Sequence, residues 1–476
     1  MNAKRLFTAL LAALMLFAAG CVKDPVNVNT DPTAVPTTAP TEAPKVEVKD
    51  MLAAAPAVRE YVKHPNSLYP NVDYNDREAW KAYWDQEDLW YQALAARREE
   101  GKKVTSLSVF TGLMTTELVR ENPNKNVVWS PMNVYIALAM LAETTAGETR
   151  KQILTLLGSS DMEAIRANVI ALMNAESNDD GVSASLLANS LWLNRRWSFY
   201  EDTLKLLANS YSASSYWGDP GDPAFTLALR QWLNDNTGGL LKDAVDNVRL
   251  DADTVLAIAS TLYFKAAWEN EFNKERTSTE TFHAPSGDIK TDFMHGTIGS
   301  MESLYYQGES FTAVRQGLKS EANSVWYLLP NEGVSIAEML EKEGLAFINS
   351  DKSMAEDGYI VNITVPKLDV SSEFELKKTL MALGMTDCFD YTTADFTPLS
   401  PDPDMLYVSS VTHAARVKTD EEGVEAAAFT VIDVKCGAAP VEHPIVEFVL
   451  DRPFVMVITG ASGQPMFIVV VNTPVE

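Results

Sequence analysis

Residues 423–436 place the tightest constraint on what this chain can fold into. Val424, Ala426, Ala428, Thr430, Ile432, Val434 and Cys436 form one period-two phase, all small or apolar. Glu425, Ala427, Phe429, Val431, Asp433 and Lys435 form the other, and it holds every charge. A strand with one buried face must alternate in this way. Gly423 leads the segment and Ala426, Ala427 and Ala428 follow, a composition that makes a poor strand by propensity and points to a segment that stays mobile before it pairs. A permanently paired hairpin strand fits the alternation equally well; the alanine-rich start favours late insertion. No proline interrupts the run through Gly437, so no ladder donor is missing. At about 0.5–1.5 kcal/mol net per new hydrogen bond, plus burial of the inward phase, insertion into a sheet releases on the order of ten kcal/mol.

The N-terminus supplies a second constraint. Lys4 and Arg5 precede a nearly continuous apolar run over 6–19, too short for the about 20 residues that span a bilayer, so residues 1–20 read as a secretory leader. Ala18-Ala19-Gly20-Cys21 resembles a bacterial lipobox, which implies cleavage before Cys21 and lipidation of its thiol. The expected location is extracytoplasmic, lipid-anchored to the cell envelope. Residues 21–49 are rich in Thr, Pro, Ala and Val and read as the tether of that anchor. Residues 50–104 form an aromatic-rich, partly helical extension in which Trp80, Trp84 and Tyr91 recur at roughly helical spacing. The extension is either a brace docked on the main body or an aromatic strip for a glycan or partner.

With 39 Lys+Arg against 65 Asp+Glu, a net charge of −26, the chain has no basic stripe for nucleic acid. Three cysteines cannot staple 476 residues. The five histidines, His64, His283, His295, His413 and His443, build no H-E-x-x-H pattern, and neither a nucleophile elbow nor a phosphate-binding glycine loop occurs. The expectation is a protein that is not an enzyme, with no cofactor and no metal, acting as a monomer.

Helical spacing is expected over 107–120, 133–142 and 149–157, and strands over 185–193, 255–265, 360–366, 406–418, 448–450, 454–459 and 466–472. No regular βα alternation appears, so the class is α+β.

Several segments carry a family resemblance. Asn126-Val127-Val128-Trp129-Ser130-Pro131 is followed by Gly147-Glu148-Thr149-Arg150, then by Leu262-Tyr263-Phe264-Lys265-Ala266-Ala267-Trp268. Later come Val365-Pro366-Lys367-Leu368, Ala394-Asp395-Phe396, His413, Glu421-Glu422-Gly423-Val424-Glu425-Ala426-Ala427-Ala428 and Asp451-Arg452-Pro453-Phe454. In this order the chain resembles the serpins from near Ser106 to near Val475. The resemblance implies a serpin domain over 105–476, with three β-sheets, eight or nine helices and an exposed reactive centre loop. It also implies a partner: a target serine protease that cuts the loop, is caught as a covalent acyl-enzyme, and is trapped when the loop inserts into the main sheet.

Within that resemblance Glu422, Gly423, Val424, Glu425, Ala426, Ala427 and Ala428 match the loop hinge. Ser130 and His413 match the hydrogen-bonded shutter of the main sheet, where Asn133 and Ser260 stand in place of the usual Ser and Asn, and Trp268 matches a tryptophan at the loop's entry point. Counting forward from Gly423 puts the scissile bond at Gly437-Ala438, while counting back from Pro453 lands near Glu442. Gly437, Ala438, Ala439 and Lys435 are therefore all candidates, the first three for an elastase-like or subtilisin-like protease and Lys435 for a trypsin-like one. Cys436 is either a small residue for the buried phase or an oxidisable thiol. The expected function is suicide inhibition of serine proteases; the alternative is a non-inhibitory serpin-fold binding or scaffold protein.

Overall fold

The computed structural model describes residues 11–21, 51–56, 62, 65–69, 72, 76–179, 183–319, 323–424 and 443–475. The main-sheet strands used below are β1 (Leu11–Cys21), β2 (Leu52–Ala54), β3 (Ser183–Asn194), β4 (Ala213–Gly218), β5 (Thr254–Ala267), β6 (Leu368–Glu375), β7 (Leu406–Thr419) and β8 (Gly423–Val424). They run β6-β7-β1-β5-β3-β4-β2 across the sheet, with β8 paired to β5 and Asn178–Asp179 to β3. A second sheet joins Tyr305–Gln307, Phe311–Gly317, Ser324–Pro330, Phe454–Thr459, Pro465–Val471 and Val127–Trp129 in that order. A third joins Ile445–Val449, Ile360–Pro366, Gly287–Ile298 and Ser278–Ala284. The three sheets and the mixed α+β class are those expected.

The helices that matter here are α1 (Arg77–Lys102), α2 (Ser106–Glu121), α3 (Pro131–Glu143), α4 (Gly147–Leu156), α5 (Met162–Glu176) and α6 (Pro223–Asn236). α3 starts where Ser130 caps it, its Oγ accepting from the Asn133 N–H, with Pro131 in the first turn. Every residue of α3 is buried, which places it inside the main core rather than on its surface.

The two faces of β5 set the architecture around the site. Leu256, Ile258, Leu262, Phe264 and Ala266 belong to the large core, whereas Ala257 and Ala259 belong to a smaller cluster with Phe225, Leu229 and Trp232 of α6. The strand is thus buried on both faces, and residues opposite each other across a ladder share a face.

The second half of the expected leader, together with Cys21, is a strand of the main sheet. Leu11–Cys21 is β1, antiparallel to β5 on one side and to β7 on the other. Both neighbours therefore run in the same direction, with β1 between them. An unbroken apolar run suits a central strand as readily as a leader, because both need an uncharged chain.

The extension is a brace at its C-terminal end. Trp90 and Leu94 are buried, and the Arg97 guanidinium donates to the Asn174 carbonyl at 3.1 Å. Glu176, at the end of α5, accepts from the N–H groups of Ala461 at 2.6 Å and Ser462 at 3.1 Å and from the Ser462 hydroxyl. Burial pushes its carboxyl pKa up, and the Ser462 and Ala461 donors pull it back. A Cβ on Gly101 would stand 2.7 Å from Ala175 Cβ and 2.8 Å from Ser462 Cβ. Gly101→Val should therefore destabilise the protein by about 1–3 kcal/mol, read as a lower urea midpoint together with faster proteolysis within 77–102. Trp84 remains exposed, stacked on Trp80 with ring centroids 5.7 Å apart.

Candidate functional site: the opening seam of the main sheet

Four expected shutter residues meet in one buried network across β5, β7 and α3. The Ser130 N–H donates to His413 Nε2 at 3.1 Å, so that nitrogen carries the lone pair. Asn133 Nδ2 donates to Ser260 Oγ at 2.9 Å, and the Asn133 N–H reaches Ser130 Oγ at 3.3 Å. All four are fully buried. The exchanged pair, Asn133 and Ser260, thus keeps a direct bond between the same two elements. Asn133 Oδ1 has no hydrogen-bond partner among the described residues. Ser260 and His413 face each other across β1, both in register with Met15.

At the top of the seam, Trp268 closes the end of β5. Its Nε1 donates to the Asp420 carbonyl at 2.8 Å, and its N–H to the Glu422 carbonyl at 3.0 Å. Asp420 Oδ1 accepts from the N–H groups of Glu422 at 2.9 Å and Gly423 at 3.2 Å, which fixes the turn into β8. Glu422 pairs with Lys274. Glu421 is 5 % exposed and is held by Lys367 Nζ at 2.8 Å and Thr277 Oγ1 at 2.7 Å. Burial works against its charge, but these bonds outweigh it and keep the carboxyl below its ordinary pKa. A depressed carboxyl contributes stability above its unfolded pKa of about 4.3 and loses it as pH falls through the folded value. Glu421→Gln should therefore unfold at lower temperature than the parent at pH 7, with the gap closing as the pH is taken below 4.

Gly423 sits opposite Ala267 and Val424 opposite Ala266. A Cβ at Gly423 would lie 2.5 Å from the Ala266 carbonyl oxygen and 2.6 Å from Ala267 Cα, so only glycine lets the chain enter this close to β5. Val424 is buried in the large core, the side expected for its phase. The rest of the hinge, Glu425 to Ala428, and the scissile candidates Lys435, Gly437, Ala438 and Ala439, lie outside the described residues, as does Cys436. Cys21 ends β1 opposite Leu406. Cys388 is buried and free, and burial pushes its thiol pKa far up.

The remaining described histidines do surface work: His283 bonds Asp288, His295 bonds Glu280, and His443 Nδ1 meets the Gly358 carbonyl. No group of three His, Cys, Asp or Glu is placed to hold a metal among the described residues.

The family model described as serpin (serine protease inhibitor) matches residues 105–474. This chain belongs to the serpin family. Serpins are in general protease inhibitors and not catalysts. Among its relatives, Serpin-ZX of Arabidopsis thaliana is 26% identical over 378 residues, covering 74% of this chain and 93% of its own. An uncharacterized serpin-like protein of Thermococcus kodakarensis is 28% identical over 401 residues, covering 83% and 88%. Of solved structures, the native state of the thermophilic serpin tengpin superposes with a TM-score of 0.67 at 25% identity, covering 78% of this chain and 94% of its own. Human thyroxine-binding globulin complexed with thyroxine shares the fold, with a TM-score of 0.67 at 22% identity over 79% of this serpin and all of its own chain.

Proposed function

We propose that this serpin is a suicide inhibitor of serine proteases, working by cleavage of the loop after Val424 and its insertion between β5 and β7. The observation that carries the reading is the register of β8. Continuing it from Val424 opposite Ala266 brings Ala426 opposite Phe264, Ala428 opposite Leu262, Thr430 opposite Ser260, Ile432 opposite Ile258 and Val434 opposite Leu256. Every one of those β5 partners is fully buried or nearly so, and the apolar ones belong to the large core. The single polar residue between Val424 and Val434 in that phase, Thr430, comes to the polar shutter. In the other phase Glu425 comes opposite Lys265, which gives the first exposed charge a partner.

The target is a serine protease of elastase-like or subtilisin-like preference, since Gly437, Ala438 and Ala439 suit a shallow pocket. Residues 1–20 are a leader, Cys21 carries the lipid, and residues 22–49 hold the serpin domain away from the outer face of the membrane. No described helix is long and apolar enough to cross a membrane. Labelling with a fatty-acid probe, lost in Cys21→Ser, tests the anchor.

The inhibitor reading is tested by incubating the processed protein with subtilisin, elastase and trypsin, looking for a 1:1 complex that survives a denaturing gel and locating the cut by mass spectrometry. Clean loop cleavage with full protease activity remaining in every case would reject inhibition. One observation favours the second reading, a non-inhibitory binding or scaffold protein: β1 fills the place the loop needs. On that reading cleavage leaves thermal stability unchanged even after the leader is gone.

A further inference from the structure

We infer that β1 is an internal plug: while residues 1–20 remain on the chain, their strand fills the insertion seam and holds the protein unable to trap a protease. This rests on the reading of residues 425–436 as the inserting strand.

The geometry places plug and loop in one track. Leu11 is opposite Phe264, Ala13 opposite Leu262, Met15 opposite Ser260 and Phe17 opposite Ile258. These are the β5 positions that the continued register of β8 assigns to Ala426, Ala428, Thr430 and Ile432. Both strands run antiparallel to β5, so they use the same backbone donors and acceptors and exclude one another. Val424 stands at Ala266 and Leu11 at Phe264, which leaves the loop only the position opposite Lys265, that of Glu425.

The shutter gives the plug a reason to be replaceable. Met15 is the residue in register with both Ser260 and His413. The buried Asn133 Oδ1 beside them has no hydrogen-bond partner among the described residues. The loop brings a threonine hydroxyl to that level. Cleavage before Cys21 removes β1 up to its last residue and frees that level for the loop. An unprocessed chain neither inserts its own loop prematurely nor captures proteases inside the producing cell.

The test uses the full 476-residue chain. Wild type is compared with Ala13→Pro/Phe17→Pro, which removes two ladder donors from the centre of β1, and with Leu16→Asp, which keeps every backbone donor. Each is cut in the loop with subtilisin and its thermal midpoint measured, and amide exchange is followed at 256–264 and 408–415. In wild type those amides stay protected and cleavage moves the midpoint by less than about 2 °C; in both variants the amides bonded to β1 exchange faster and cleavage raises the midpoint by about 10 °C. The same variants form at least tenfold more denaturant-resistant protease complex. An equal cleavage-induced rise in all three chains overturns the plug and leaves the inserting loop standing. Faster exchange in the variants with no rise on cleavage upholds the plug and rejects the inserting loop.

Discussion

Arginine in place of Ala428 is expected to turn the processed protein from an inhibitor into a substrate. Ala428 belongs to the phase that meets Leu262, which is fully buried in the large core. An unpaired guanidinium forced there costs several kcal/mol, and about 1.4 kcal/mol is a factor of ten. Insertion slowed a hundredfold or more loses its race with hydrolysis of the acyl-enzyme, so the protease is released active. The covalent complex should fall from the main product to a trace, while the rate of loop cleavage stays the same. Ala427→Arg is the control for phase. Its partner in the continued register is Tyr263, which is only partly buried, so the variant should keep most of its trapping activity. If the two arginines behave alike, the alternation has no bearing on function and the insertion mechanism falls with it.

The second large effect is thermal. Insertion is worth on the order of ten kcal/mol by hydrogen bonds and burial. A domain of this size unfolds with an entropy of about 2.1 cal/mol/K per residue, so such a gain lifts the unfolding midpoint by roughly 10–15 °C. Cleavage of the processed protein anywhere within 435–439 should produce that rise, measured by differential scanning calorimetry. A cut in an exposed loop that gains nothing should leave the midpoint unchanged or lower it. The size of the step also reports how far the strand enters: a cut near Lys435 leaves fewer inward residues to bury than one after Ala439.

Much of the scaffold was legible because its elements are long and strongly periodic. The helices expected over 107–120 and 133–142 are Ser106–Glu121 and Pro131–Glu143, and the strands expected over 255–265 and 406–418 are Thr254–Ala267 and Leu406–Thr419. The shutter was reached through the resemblance and not through spacing, since Ser130 and His413 are 283 residues apart and nothing local in either segment announces the bond. The hairpin of Ser278–Ala284 and Gly287–Ile298 escaped because much of it is half-exposed and polar, without the apolar runs that marked other strands. That residues 11–21 pair as a strand was not legible, because an unbroken apolar run has no period to separate a helix, a leader or a central strand. The hold on α1 was equally hidden: Gly101 gives no sign in sequence that Ser462 will close on it.

One consequence follows from the directions of β5 and β7. Each is antiparallel to β1, so each is parallel to the other, and withdrawing β1 would leave two like-oriented edges to close against themselves. A parallel ladder is slightly weaker per residue than an antiparallel one. A strand that enters antiparallel to both edges exchanges that one seam for two better ones, whatever its source. The drive to accept a guest thus belongs to the frame, and the sequence of the guest decides which chain is admitted: residues 11–21, the cut loop, or the loop of a neighbouring copy. Fidelity in such a protein is therefore a matter of timing as well as of sequence.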